Sequence, residues 1–256
     1  MKITKIAFHS ILILMLLTIH EGMAQNLDLS AKAIVQKADE NMRGKTSITD
    51  ISIQIIRPTW HREMNMKTWT KGDEYSMILL TSPAKEKGIA FLKRMKEVWN
   101  WIPAIERTIK LPPSMMSQSW MGTDFTNDDL VKEASSVADY DHKHLGSESI
   151  DGKDCYKIEM IPKPSAAIVW EKVIVWIDKQ DFLQLKAEFY DEDGEMMNIM
   201  KASEIKVLGG RKITSKIEMI PIDKEGNSTV IIYNDIEFDK AISDDFFTTR
   251  NMKQLE

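Results

Sequence analysis

The sequence lacks most of the residues from which catalytic and metal sites are built. It contains a single cysteine, Cys155, so neither an intrachain disulfide nor a cysteine-based metal cluster can form. Cys155 lies in an alternating segment typical of a strand, which favours a structural thiol over a reactive one. Neither a glycine-rich phosphate loop nor a Gly-x-Ser-x-Gly nucleophile motif occurs. We therefore expect no catalytic residue, no cofactor and no enzymatic activity.

The sequence also lacks an excess of basic residues. Its formal net charge is −5, and removal of the first 24 residues would change it to −6. Binding to nucleic acid needs a basic surface that neutralises phosphates, so a nucleic-acid partner is excluded.

Histidines are few, and three follow the N-terminal segment: His61, His142 and His144. His142 and His144 could ligate a metal from one side of a strand, but no third ligand is specified. A solvent-exposed strand face explains them better, and we expect no metal.

Three carboxylates, Asp124, Asp128 and Asp129, could serve in hydrolysis or in a calcium loop. A local explanation is simpler. A short helix over residues 128–133 would be capped by Thr126 or Asn127, with acidic residues favoured in its first turn.

The N-terminus has the pattern of a cleavable secretory signal peptide. Lys2 and Lys5 precede an apolar stretch over residues 6–19, and small residues lead to a cleavage site after Ala24. No cysteine follows that site, so the mature chain is not expected to be a lipoprotein. We predict an exported, periplasmic protein; the alternative is an uncleaved membrane anchor.

Beyond residue 24 the dominant hydrophobic period is two, which predicts strands. One helix is predicted over residues 29–42, capped by Ser30 and ending at Gly44. Eleven strands are predicted at 48–57, 62–70, 75–81, 89–95, 97–103, 153–161, 169–178, 182–190, 195–207, 211–220 and 229–238. No linker divides them, so residues 25–256 should form one domain. So many antiparallel strands should curl, which predicts a mainly β fold with some helix: an unclosed half β-barrel covered by the helix and a helical lid loop.

The lid is predicted at residues 112–133, which carry "SWMGTDFTNDDL" over residues 119–130. This segment combines large apolar side chains with a predicted tight turn at Gly122, Thr123 and Asp124. The apolar side chains are Met115, Met116, Trp120, Met121, Phe125 and Leu130.

Residues 98–130, "VWNWIPAIERTIKLPPSMMSQSWMGTDFTNDDL", resemble the signature of the LolA-like outer-membrane lipoprotein-sorting proteins. In that family a strand with Trp and Pro precedes basic residues, a Ser/Met-rich segment, Gly-Ser/Thr-Asp-Phe and an acidic pair before Leu. The matching residues are Trp99, Trp101, Pro103, Arg107, Met121, Gly122, Thr123, Asp124, Phe125, Asp128, Asp129 and Leu130.

The resemblance implies a periplasmic carrier that holds the acyl chains of lipoproteins or lipids in an apolar cavity and moves them towards the outer membrane. Implied partners are lipidated proteins or lipids, an inner-membrane transporter and an outer-membrane acceptor, with the carrier a monomer. The family's lid-locking arginine has no matching position here; Arg57, Arg62 and Arg94 are candidates by proximity to strands.

The predicted acyl site combines the lid side chains with the aromatic residues of the preceding strand. Methionine suits such a lining because its flexible thioether side chain adapts to ligand shape. Core filling explains any single methionine better, and only the cluster as a group favours a ligand. An accessory subunit of an inner-membrane lipid or RND-type exporter is the alternative function, and a hydrolase is a third. The predicted ligand-binding residues are Trp99, Trp101, Met115, Met116, Trp120, Met121, Phe125 and Leu130.

Overall fold

The computed structural model describes residues 29–132, 135–166 and 168–255. The predicted signal peptide and its cleavage site lie outside these residues. The described chain begins with helix α1, Ala31–Arg43, and its cap is as predicted: the Ser30 side chain accepts a hydrogen bond from the Ala33 amide. The helix ends at Gly44, whose φ of 65° favours glycine.

Thirteen antiparallel strands form one unclosed sheet, which confirms the fold class predicted from the alternation. In chain order they are β1 Thr46–Arg57, β2 Trp60–Lys71, β3 Tyr75–Ser82, β4 Ala90–Arg94, β5 Glu97–Ile102, β6 Arg107–Lys110, β7 Tyr140–Ile150, β8 Lys153–Pro162, β9 Lys172–Asp178, β10 Gln184–Tyr190, β11 Met196–Leu208, β12 Arg211–Pro221 and β13 Ser228–Phe238.

The sheet is a meander of two halves. β1 to β6 run outwards in one direction and β13 to β7 in the other, and the halves meet where β1 pairs with β13. β6 and β7 are therefore the two edge strands. The eleven predicted strands did not include these two, although a strand face was considered for His142 and His144, because β6 is almost wholly exposed and β7 is exposed along most of its length. Neither edge strand shows the apolar alternation that marks a half-buried strand.

Alternation along the strands builds a separate apolar cluster on each side of the sheet. On β3, Ile78 and Leu80 join the main cluster, whereas Met77 and Leu79 join a second cluster on the opposite side. We call the side with the main cluster the inner face and the other the outer face. α1 covers the inner face with Ile34, which is fully buried.

The C-terminal segment packs on the outer face. It contains a short 3-10 helix, Asp244–Phe246, and the short helix α2, Thr249–Met252. Phe247 and Met252 are buried there against β3 and β4. No helix within the described ranges is long and apolar enough to cross a membrane.

Candidate functional site

The lid segment begins with a compact loop. Ser119 and Thr126 form an isolated antiparallel bridge, and the Thr123 amide donates to the Trp120 carbonyl at 2.9 Å. The two residues between, Met121 and Gly122, have φ of 52° and 80°, the pair of left-handed conformations found in a type I′ turn. The turn is thus centred one residue earlier than the predicted Gly122–Thr123–Asp124 turn.

A short π-helix, Asp128–Lys132, follows this loop where a helix over 128–133 is predicted; residue 133 lies outside the described residues. The Asp129 amide donates to the Thr126 hydroxyl at 3.1 Å, and the Thr126 amide donates to the Asp129 carboxylate at 2.8 Å. This reciprocal pair is a capping box, with Thr126 as the cap. A local capping role therefore accounts for Asp129, as the sequence suggested.

Two arginines from neighbouring strands hold the lid turn. Arg57, at the end of β1, forms an ion pair with Asp124 at 2.9 Å and donates to the Gly122 carbonyl at 3.0 Å. Arg62, on β2, donates to the Met121 carbonyl. Of the three candidate arginines, these two contact the lid, whereas Arg94 donates to the Phe247 carbonyl on the outer face.

The Arg57–Asp124 pair is largely enclosed by protein. The Arg57 and Asp124 side chains are 12% and 5% exposed, and the Thr229 hydroxyl of β13 donates to the same carboxylate at 2.6 Å. Breaking a buried pair by removing one partner costs about 3–5 kcal/mol, because the remaining charge is left uncompensated. The lid is therefore fastened at its turn rather than merely resting on the sheet.

Most of the predicted lid side chains pack towards the inner face. Trp120 and Phe125 are buried in the main cluster, and the Trp120 ring lies 5.6 Å from that of Phe91 on β4. Met121 and Leu130 pack against the same cluster. Met116, earlier in the segment, is buried, and Met115 is half-buried.

Trp99 and Trp101 do not join them, which corrects the predicted site. Both project from β5 to the outer face, where they pack with Phe246 and Phe247. The reason is the two-residue period of a strand: Val98 faces inwards, so its odd-numbered neighbours face outwards. An aromatic pair cannot share a cavity with residues on the other side of its own sheet.

Beneath the lid lies a cavity of about 240 Å³, which we call the lid cavity. Most of its wall is apolar or aromatic, and the polar groups Arg43, Asp128 and Asp129 complete it. Its remaining lining residues are Phe125, Tyr140, Trp170, Phe189, Met200 and Met219.

Two further cavities adjoin the lid cavity along α1. The helix cavity, about 240 Å³, lies between α1 and the strands β10 to β12, and it shares Arg43 and Met200 with the lid cavity. The third, about 140 Å³, contains the lid residue Leu130 and again Arg43. Arg43 therefore stands where the three cavities meet, with its guanidinium 3.3 Å from the Asp39 carboxylate.

Two titratable groups at the polar end of the lid cavity, Asp129 and Tyr140, have raised pKa values. Burial raises the pKa of Asp129 above its ordinary value of 3.8, against the opposing effect of hydrogen bonds from Thr126 and Trp170. Asp129 as a residue is only partly buried, but its carboxyl group is buried, and this burial decides the direction of the pKa shift. Burial, followed by the negative charges of Asp128 and Asp129, raises the pKa of Tyr140.

Several lining residues escaped the prediction from sequence. Met200 and Met219 occupy inward positions in β11 and β12, and Phe189 does so in β10. Trp170 belongs to the loop before β9 rather than to the predicted strand, and its indole donates to the Asp129 carboxylate at 2.8 Å. Local alternation shows that such residues face one side of a sheet, but only strand order shows which of them meet under the lid.

The described part of the chain contains no group of three or more His, Cys, Asp or Glu side chains that could hold a metal. The Nε2 atom of His142 lies 2.7 Å from the Ser136 carbonyl, and burial lowers the pKa of this histidine. His144 packs edge-on against the ring of Tyr156. Cys155 is fully buried on the outer face.

Comparison with known proteins gives both a family and a fold. A family model described as that of an uncharacterised protein matches residues 72–254, more than half of the chain. No curated protein matches.

Three solved structures resemble the whole described architecture. A LolA superfamily protein from Nitrosomonas europaea is 27% identical, with a TM-score of 0.76 over 87% of this chain and 99% of the other. An outer membrane lipoprotein-sorting protein domain from Vibrio parahaemolyticus is 22% identical, with a TM-score of 0.78 over 87% and 98%. A DUF1329 family protein from Desulfovibrio piger is 23% identical, with a TM-score of 0.79 over 87% and 97%.

Proposed function

The chain belongs to this matched family and shares its fold with LolA-like outer-membrane lipoprotein-sorting proteins, and from that premise we propose that it is a periplasmic carrier of acyl chains. It would bind the acyl chains of lipoproteins or lipids inside the half-barrel and move them towards the outer membrane. Residues 25–256 would form the single carrier domain after the signal peptide is removed.

The observation that carries this proposal is the fastened lid above the lid cavity. Arg57 and Arg62 hold the Met121–Gly122 turn, while Phe125 contributes to the cavity wall beneath it. The lid can therefore open at an identifiable set of polar contacts without disturbing the strands. Trp120 belongs to the main apolar cluster, and Met121 and Leu130 pack against it. We propose that, when the lid opens, a bound acyl chain takes the place of these side chains against the cluster.

Hydrophobic transfer supplies enough free energy for such binding. Removing a methylene from water contributes about 0.8 kcal/mol, so a sixteen-carbon chain would contribute about 12 kcal/mol before the loss of its conformational freedom. The wall needs no catalytic group for this purpose. Methionine at positions 200 and 219 gives the lining the adaptability that different acyl chains require.

The first test is mass spectrometry of the protein extracted gently from the periplasm of its own cells. We expect an acyl-bearing molecule to remain bound and the mature chain to begin at Gln25. A protein that carries no such molecule and binds no fluorescent fatty-acyl probe in vitro would contradict the carrier proposal.

A substitution in the lid tests whether the binding site lies beneath it. Trp120 is 1% exposed, so Trp120→Glu puts an unpaired charge in an apolar environment and should abolish probe binding. Ile105→Glu is the matched control, because Ile105 is 56% exposed in the turn after β5, and it should bind as the wild type does. Circular dichroism checks that the strands survive, and Trp120→Phe provides a milder variant if Trp120→Glu fails to fold.

A further inference from the structure

A second opening lies away from the lid, beside the C-terminal end of α1. It is a cleft of about 670 Å³ bounded by α1, the β9–β10 turn, the start of β12 and the residue after β13. Its lining includes Lys37, Lys45 and Arg211, so we call it the charged cleft.

Two side chains, those of Phe182 and Asn41, lie between the charged cleft and the interior. Phe182 and Asn41 line both the charged cleft and the helix cavity, which is otherwise largely apolar. Phe182 lies in the β9–β10 turn rather than in the strand predicted at 182–190. Phe182 is the larger of these two side chains, so its displacement would open most of the passage from the polar cleft to the helix cavity.

The backbone of Phe182 is held in a strained conformation. Its φ is 54°, in the left-handed region that large side chains rarely adopt. The surrounding turn imposes this angle: the Phe182 amide donates to the Asp178 carbonyl at 3.0 Å, and the Asp178 amide donates to the Leu183 carbonyl at 2.8 Å. Backbone strain of this kind persists only where neighbouring contacts enforce it, and it marks positions with a specific role.

The Phe182 ring is covered by a cation. The Lys37 ammonium lies 4.6 Å from the ring centroid, and the ring of Tyr156 stacks at 6.4 Å. A ligand that draws the Lys37 ammonium towards itself would remove a cation–π contact from the ring. Occupation of the charged cleft and movement of Phe182 are therefore physically linked.

The lining of the cleft carries three cations and three carboxylates, and Lys212, outside the lining, adds one further cation to this group. Arg211 pairs with Asp239 at 2.6 Å, and Asp181 pairs with Lys212 at 3.1 Å. Lys37 and Lys45 form no ion pair in the described part of the chain, but the Lys45 amide donates to the Asp239 carboxylate at 2.9 Å and the charge of Lys45 helps to lower the pKa of Asp239. Glu40 is the remaining carboxylate of the lining, and it accepts a hydrogen bond from Gln36 at 2.7 Å.

We propose that the charged cleft is a head-group site for an amphiphile with one anionic head, whose acyl chain passes Phe182 into the helix cavity. The ligand class is a long chain that ends in a carboxylate or a phosphate. Lys37 and Lys45 meet the head, and Val35, Ala38 and Met42 of α1 meet the chain. This inference rests on the proposed carrier function and adds to it the chemistry of the head and a route distinct from the lid.

The test compares two probes of equal chain length, parinaric acid and its uncharged methyl ester. The wild type should bind the acid more tightly than the ester, and the preference should weaken as salt is added. In Lys37→Gln/Lys45→Gln the preference should fall roughly three- to tenfold, since exposed charge pairs contribute modestly. The control Lys96→Gln/Lys224→Gln removes the same charge from exposed positions outside the cleft and should keep the wild-type preference.

A lysophospholipid competitor separates the two kinds of anionic head. The lysophospholipid should displace parinaric acid from the wild type, and it should do so less effectively from Lys37→Gln/Lys45→Gln. Inorganic phosphate alone should not compete. If the lysophospholipid displaces the acid at a lower concentration than an unlabelled fatty acid of the same chain length does, the preferred head is a phosphate; the reverse order assigns a carboxylate.

The route is tested by Phe182→Asn, because asparagine tolerates a left-handed φ and lacks the ring. We expect the acid to dissociate several-fold faster, and an unchanged rate would overturn the route past Phe182. If acid and ester bind equally, and the lysine substitutions change neither, the head-group site is wrong but the carrier function is not contradicted. Failure of the wild type to bind either probe would instead contradict the carrier function itself.

Discussion

At the scale of single residues, Gly122 controls the geometry on which the lid depends. Its φ of 80° favours glycine, and the space around it is open, since an added Cβ would approach only the Arg62 guanidinium, at 3.9 Å. A substitution there would be resisted by the backbone conformation rather than by a clash. The effect of such a substitution should therefore be confined to the turn and to the arginine contacts that depend on it.

We predict that Gly122→Val loosens the lid more than it destabilises the sheet. The left-handed conformation costs an ordinary residue about 1–2 kcal/mol, and a β-branched one more. Limited proteolysis should therefore cleave residues 112–132 faster than in the wild type, with little change in the unfolding midpoint of the strands.

Gly152→Val is the matched control for this prediction. Asp151 and Gly152 close the β7–β8 hairpin with φ of 48° and 79°, almost the same pair of angles as Met121 and Gly122. The strain is equal but lies far from the lid in the strand order, so lid proteolysis should remain at the wild-type rate. Equal lid cleavage in both variants would show that general destabilisation, not lid opening, is responsible.

Asp129 gives a second prediction, in the dependence of stability on pH. Its pKa is raised in the folded state by burial, so the folded chain retains a proton that the unfolded chain loses above about pH 4. The stabilisation is fully present below the ordinary carboxyl pKa and is lost as pH rises through the folded-state pKa. Wild type should therefore gain stability relative to Asp129→Asn as the pH falls from 8 to 4, measured by thermal unfolding. A stability difference that is constant with pH would contradict the assignment.

At the scale of elements, β5 shows what a sequence pattern can and cannot determine. The alternation of Val98, Trp99, Asn100 and Trp101 predicts a strand correctly, but it does not say which side the tryptophans face. That side is fixed by the C-terminal segment, whose Phe247 is fully buried against the same cluster. The segment is short and weakly patterned, so its role could not be foreseen from the sequence.

The lid shows the complementary case. Its position at 112–132, its apolar side chains and its capped helix were foreseen, because they depend on neighbouring residues. The cavity beneath it was not, because Phe189, Met200 and Met219 come from three different strands. Long-range strand order, and not local pattern, brings these residues together.

We predict that the C-terminal segment stabilises the sheet without taking part in binding. Phe247→Ala removes a fully buried ring and should cost about 3–5 kcal/mol of unfolding free energy. The folded fraction should bind a fatty-acyl probe as tightly as the wild type, whereas Phe125→Ala should weaken binding. Loss of binding in folded Phe247→Ala would mean that the outer cluster contributes to the site after all.

At the scale of the whole molecule, the proposed carrier function divides the chain into a stable frame, the sheet, and a segment that opens, the lid. β1, β2, β12 and β13 lie at the middle of the strand order, paired on both sides. The lid is held instead by a few polar contacts and by its apolar side chains. We predict that this segment opens at a lower free energy than global unfolding. A carrier needs that difference, because cargo must enter and leave while the frame persists.

Hydrogen exchange of the native protein tests this arrangement. The Trp120, Thr123 and Asn127 amides are bonded within the lid segment, and they should exchange through an opening of lower free energy than the β1 and β13 amides. If opening of the lid releases the ligand, an acyl probe at 100 times its dissociation constant should raise both opening free energies by about 2.7 kcal/mol. A rise for the central strands with none for the lid would mean that the probe remains bound while the lid is open, and the lid would then not be the element that retains the cargo.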